Sequence, residues 1–143
     1  MTSPATTVPA DRPATIPLWI NGLSIVIALI LAFQCFSGYF EPSLAFGDFS
    51  LDRVANREAM SKLAGRNLVM LVLTLLALMS STPLYLAGTF LMHFLREAQD
   101  LFIVPYHLGF TTPKGMAVFC VLLFMFVIPE FVALKTLRKI ARG

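Results

Sequence analysis

A stripe of ionisable residues in the third apolar segment is the feature of this sequence that could do chemistry. His93, Arg96, Glu97 and Asp100 occupy positions i, i+3, i+4 and i+7, so on a helix they line one face over two turns. A charged side chain that faces lipid is costly, so the stripe is expected to face a bundle interior or a water-filled cavity. There it could hold the headgroup of a quinone, sterol or other lipid, or relay protons through His93. The competing interpretation is an ion-pair network that only fixes helix packing.

Two further polar residues are expected at the height of this stripe. Arg66 precedes the turn between the second and third segments by about as many residues as Glu97 and Asp100 follow it. Because a helix rises about 1.5 Å per residue, these side chains should lie at the same depth, near the outer face. We therefore predict an interhelical ion pair of Arg66 with Asp100 or Glu97. Gln34, at the end of the first segment, should reach a comparable depth.

The remaining reactive residue types form no recognisable site. No nucleophile–base pair stands at a useful spacing, which argues against an independent hydrolase, and His107 has no partner at metal-ligand spacing, so neither metal nor cofactor is predicted. Cys35 and Cys120 belong to no CxxC pair and are interpreted as small hydrophobic residues inside helices, with a bridge at similar depth as the alternative. Glu130, which follows Pro129, is interpreted as an interfacial glutamate near the cytoplasmic boundary.

The composition indicates what must position these residues. Of 143 residues, 57% are hydrophobic and 13% charged, with a mean hydropathy of +0.79, whereas soluble domains carry about 25% charged residues. A spanning helix needs roughly 20 apolar residues, and four segments meet that length. The predicted fold class is all-α, a four-transmembrane-helix bundle. The net charge of +3 does not indicate a nucleic-acid partner, because the basic residues form no stripe interleaved with aromatics.

The predicted elements follow one another with short connections. Residues 1–14 are expected to be a disordered cytoplasmic tail, and residues 15–143 a four-helix membrane domain. The four spans are predicted at residues 17–40, 63–80, 83–104 and 114–134. Thr82 and Thr112, each followed by proline, mark the starts of the last two spans, with a loop over 105–112. A short interfacial helix, capped by Ser50, is predicted between spans one and two.

Basic residues predict the orientation. The C-terminal tail carries Lys135, Arg138, Lys139 and Arg142 and no acidic residue. Basic residues that flank a span stay on the cytoplasmic side, so the C-terminus is predicted inside. Four crossings then place the N-terminus inside as well.

The chain resembles the small four-helix membrane proteins of the DoxX family. The resemblance rests on four spans in 143 residues, on Gly65 and Arg66 at the opening of the second span, and on the sequence REAQD at the end of the third. It implies a protein of the bacterial inner membrane, and some members of the family are associated with quinone-linked or redox partners.

Two functions are expected as alternatives. The first is binding of a lipophilic small molecule, a quinone or a lipid, in a polar pocket near the outer face, as a component of a membrane oxidoreductase. The second is a non-catalytic subunit or assembly factor of a larger membrane complex. In that case Gly22, Ala28 and Ala32 on span one would serve helix–helix contact.

Overall fold

The computed structural model describes residues 15–46, 54–109 and 111–142, and these are almost entirely helical, without a strand. The helices are α1 (Leu18–Phe40), α2 (Ser43–Phe46), α3 (Val54–Ser80), α4 (Pro83–Leu108) and α5 (Pro113–Ile140). The predicted tail over residues 1–14 and the predicted cap at Ser50 lie outside the described residues. The all-helical prediction is confirmed.

Three of these helices, α1, α3 and α5, are long and apolar enough to cross a membrane. This finding supports a membrane protein. The remaining long helix, α4, has 26 residues and carries the acidic or basic residues Arg96, Glu97 and Asp100 in its second half. Its length suits a crossing, but its charges lie near the middle of the helix, whereas most charges of α3 and α5 lie toward the helix ends.

The segment between spans one and two differs from the prediction. The helix predicted there and the second span form one continuous helix, α3, which starts at Val54. No proline interrupts residues 54–80, and Gly65 stays helical because a single glycine costs a helix only about 1 kcal/mol. The separate short helix is instead α2, Ser43–Phe46.

Helix α4, which corresponds to the third predicted span, is longer than predicted. The expected loop over residues 105–112 begins only after Leu108, and Pro105 lies buried inside α4. A proline removes one helical hydrogen bond, that of its own missing N–H, and the helix continues for three residues beyond it. Gly109 then ends α4 with a φ of 83°, a conformation that glycine adopts without strain.

Both predicted threonine–proline helix starts are present. Pro83 opens α4 behind Thr82, and Pro113 opens α5 behind Thr112, whose Oγ1 accepts a hydrogen bond of 3.0 Å from the backbone N–H of Gly115. The tight connection through Ser81 joins α3 and α4 as an antiparallel hairpin, as predicted.

The bundle is built mainly from two helix pairs, α1 with α3 and α4 with the C-terminal half of α5. The backbones of α1 and α3 approach most closely at Gly38, where an added Cβ would lie 2.9 Å from the Cβ of Ala64. One turn away the Cys35 thiol contacts the carbonyl oxygen of Ala64 at 3.6 Å. Cys35 and Cys120 are both free thiols, so the alternative of a bridge between them is wrong.

The middle of α5 is a π-helix, Leu122–Val127. There the N–H of Ile128 reaches back five residues to the carbonyl oxygen of Leu123. Pro129 follows directly and lacks an N–H, so it cannot complete an α-helical bond in this region. Wider turns of this kind re-aim the side chains around them and are frequent at functional sites.

Candidate functional site

A cavity of about 370 Å³ lies where α1, α3, α4 and α5 meet. Its polar half is formed by Gln34, Arg66, Asn67, Arg96, Glu97 and Asp100, and its apolar half by Ile30, Leu63, Val104, Val118, Leu122 and Phe126. Five of the six residues predicted for the site therefore come together. The sixth, His93, does not line the cavity.

The charged pair of the cavity wall is Arg96 with Glu97. The guanidinium donates from Nε to Oε1 of Glu97 at 2.9 Å, and its Nη2 bonds the same oxygen. The two side chains are only 13% and 7% exposed. A hydrogen-bonded pair of opposite charges is the form in which ionised groups are tolerated inside a protein.

The ion pair predicted for Arg66 is wrong. Among the described residues its guanidinium makes no ion pair with Glu97 or Asp100 and no hydrogen bond. The two residues do lie at a common level along the helices, because Arg66 and Asp100 line the same cavity. Glu97, however, is already bonded to Arg96, and the cavity lies between the helices at this level. Arg66 thus provides a cationic donor without a partner at an open wall.

An amide pair joins α1 to α3 beside this arginine. Nδ2 of Asn67 donates to Oε1 of Gln34 at 3.1 Å. Asn67 is 2% exposed, and its Oδ1 has no hydrogen-bond partner within the described part of the chain. A buried oxygen without a donor costs roughly 1–3 kcal/mol, so this atom is suited to accept a bond from a bound group. The sequence analysis missed Asn67, although an amide directly before the apolar run of α3 was the available signal.

His93 lies in the packed interior, away from the cavity. Its Nε2 is 2.9 Å from Oγ1 of Thr74 on α3, and the Thr74 hydroxyl donates to the carbonyl oxygen of Met70 at 2.7 Å. Since a hydroxyl has one proton, Thr74 must accept from His93, and Nε2 therefore carries the imidazole hydrogen. Nδ1 is buried and without a partner among the described residues.

Glu130 is a buried residue rather than an interfacial one. Its side chain is 1% exposed, and its Oε2 has no hydrogen-bond partner among the described residues. The predicted access of this side chain to water is therefore wrong, because the C-terminal half of α5 packs against α4.

The described residues contain no group of three His, Cys, Asp or Glu side chains that could hold a metal ion. The cavity instead offers hydrogen-bond donors and acceptors at one side and apolar walls at the other. No family model, curated protein or solved structure matches this chain. The resemblance to the DoxX family therefore stays a prediction, and function is argued from the cavity itself.

Proposed function

We propose that this chain is a four-span protein of the inner membrane that binds the headgroup of a quinone in the cavity between its helices. One observation carries the proposal. Arg66, a donor without a partner, and Asn67, whose buried Oδ1 lacks a donor, stand side by side on the wall of a half-apolar cavity. A ligand with both an accepting and a donating oxygen would satisfy both residues.

The placement of the charges on α4 supports four crossings. Arg96 and Glu97 are turned inward and bonded to each other, while Leu91, Leu95 and Phe102 on the outer side of α4 are 45–63% exposed. A helix with its most buried charges paired inside and apolar side chains outside is compatible with lipid. The basic end of α5 then lies in the cytoplasm, with both termini. The assignment to the inner membrane rests on the DoxX-like resemblance.

The charge of the cavity favours a neutral headgroup. Two arginines are balanced by Glu97 and Asp100, so a lipid phosphate would gain from Arg66 but be repelled by the two carboxylates. A quinone carbonyl accepts a hydrogen bond from a guanidinium, and a quinol hydroxyl can donate to an amide oxygen. The isoprenoid tail would leave along the apolar half of the cavity. A volume of about 370 Å³ lies within the range of small-molecule sites.

The test is binding of decylubiquinone to the purified protein in mild detergent, followed by native mass spectrometry. Arg66→Gln should weaken binding by about 10- to 100-fold, the usual value of a hydrogen bond to a charged group. Lys62→Gln is the matched control, because Lys62 lies one turn away on α3, pairs with Glu58 and does not line the cavity. Equal affinity of Arg66→Gln and wild type, or displacement of the quinone by phosphatidylglycerol, would contradict the proposal.

The second candidate function is a non-catalytic subunit of a larger complex. It is supported by an outward groove of about 580 Å³ between α3 and α4, lined by Ala77, Ser80, Gly88 and larger apolar residues. A Cβ at Gly88 would meet nothing within 4 Å, so another helix could approach there. The contact face predicted on α1 is less suitable, because Ala28 is buried inside the bundle. Gly88→Leu should release a stoichiometric partner without changing quinone affinity.

A further inference from the structure

The C-terminal end of α5 carries a basic surface that the ligand cavity does not use. Its four charged side chains are exposed, and they are Lys135, Arg138, Lys139 and Arg142. The first three occupy positions i, i+3 and i+4, so they share one face of the helix within about 6 Å along its axis. Arg142 follows in the turn that ends α5. All four line a second cavity of about 730 Å³.

Carboxylates do not offset this basic surface. The sequence has no acidic residue after Glu130, and Glu130 itself is buried. None of the four basic side chains makes an ion pair within the part of the chain that the structure describes. They also account for the positive net charge, because the other seven of the eleven basic residues are fewer than the eight acidic ones. This end of α5 therefore suits an anionic partner.

Apolar side chains on the same face of α5 indicate what kind of anion fits. Ile128 and Phe131 precede Lys135 by seven and four residues, which places them on its side of the helix. They are 41% and 51% exposed. Because α5 is long and apolar enough to cross a membrane, these two side chains face acyl chains where the basic ones reach headgroups. A phospholipid has both parts in this order, whereas a free phosphate has no apolar part.

We propose that the C-terminal end of α5 is a binding site for an anionic phospholipid. The lipid phosphate lies against the basic side chains, where an arginine can donate two parallel hydrogen bonds to it, and the acyl chains run along Ile128 and Phe131. Clusters of about four to eight Lys and Arg residues directly beside a spanning helix bind anionic lipids through their charge. This site is separate from the ligand cavity, so it does not depend on a quinone as the ligand there.

Native mass spectrometry of the full chain in a neutral detergent tests the site with two lipids of identical acyl chains. We expect phosphatidylglycerol, which is anionic, to bind at least about tenfold more tightly than phosphatidylcholine, which has no net charge. Lys135→Gln should weaken binding of phosphatidylglycerol about fivefold, and Lys135→Gln with Arg138→Gln about 25-fold. Lys114→Gln is the matched control, because Lys114 is exposed at the opposite end of α5 and does not line this cavity.

Equal binding of the two lipids, or an equal loss in Lys114→Gln and Lys135→Gln, would overturn the lipid site. Displacement of phosphatidylglycerol by the same concentration of inorganic phosphate would also overturn it, because the ligand would then be the free anion.

A readout that needs no variant is the ionic strength. Salt screens exposed charges, so more ammonium acetate should weaken binding of phosphatidylglycerol to the wild-type protein, and an unchanged affinity would contradict the site. If decylubiquinone fails to bind but phosphatidylglycerol binds as expected, the proposed function is wrong and the lipid site stands.

Discussion

The hydroxyl of Thr74 on α3 lies 2.9 Å from Nε2 of His93 on α4. This contact joins the two arms of the antiparallel hairpin in the interior of the bundle, and it is the hydrogen bond that fixes the imidazole. Because Thr74 also donates to the carbonyl oxygen of Met70, the side chain links the α3 backbone to a buried ionisable group. The buried imidazole is therefore held in place by a residue that carries no charge.

Thr74→Val should destabilise the protein, because valine keeps the shape of threonine and removes the acceptor of His93. The expected loss is about 1 kcal/mol, a usual value for a polar contact between helices in a membrane. Thr74→Ser, which keeps the hydroxyl, should retain most of the stability. Unfolding by sodium dodecyl sulfate in mixed micelles measures the difference. Equal stability of the valine and serine variants would show that the contact contributes nothing.

Arg96→Met should be more damaging than Thr74→Val, because it leaves Glu97 as a buried charge without its partner. Breaking such a pair costs about 3–5 kcal/mol. The double variant Arg96→Met with Glu97→Gln should recover part of this loss, since no isolated charge remains. Additive effects of the two substitutions in the same unfolding assay would contradict the pairing seen here.

Gly38→Ala should destabilise the packing of α1 against α3. The added methyl group would stand 2.9 Å from the Cβ of Ala64, and overpacking of this kind costs about 1–3 kcal/mol. Gly22→Ala is the matched control on the same helix, because an added Cβ there meets nothing within 4 Å. In thermal unfolding in detergent, only Gly38→Ala should therefore have a lower unfolding midpoint than the wild-type protein. A similar midpoint for both variants would contradict the close approach.

Cysteine accessibility in intact cells tests whether α4 crosses the membrane. In a background with Cys120→Ser, we expect Thr111→Cys to react with a membrane-impermeant maleimide from outside and Ser81→Cys to react only after cell lysis. The two positions are exposed at opposite ends of α4. Labelling of both residues from the same side would show that α4 does not cross.

The sequence determined the helices and one shared face. Apolar segments of spanning length define α1, α3 and α5, and prolines after Thr82 and Thr112 mark two helix starts, because these signals act within a few residues of the chain. The spacing of Arg96, Glu97 and Asp100 placed them on one side of α4 for the same local reason. Arg66 lies about as many residues before the turn between α3 and α4 as these residues lie after it, and this spacing places it at the same level along the helices.

Only the tertiary structure decided which groups meet. Arg96 bonds its sequence neighbour Glu97 instead of leaving it to Arg66, since a long flexible side chain can fold back where a cavity separates the helices. The amide of Asn67 and the carboxyl of Glu130 are buried because of how α3 and α5 are rotated against their neighbours. The periodicity of residues along one helix does not determine the rotation of that helix or the partners of its side chains. They are set by packing against the neighbouring helices.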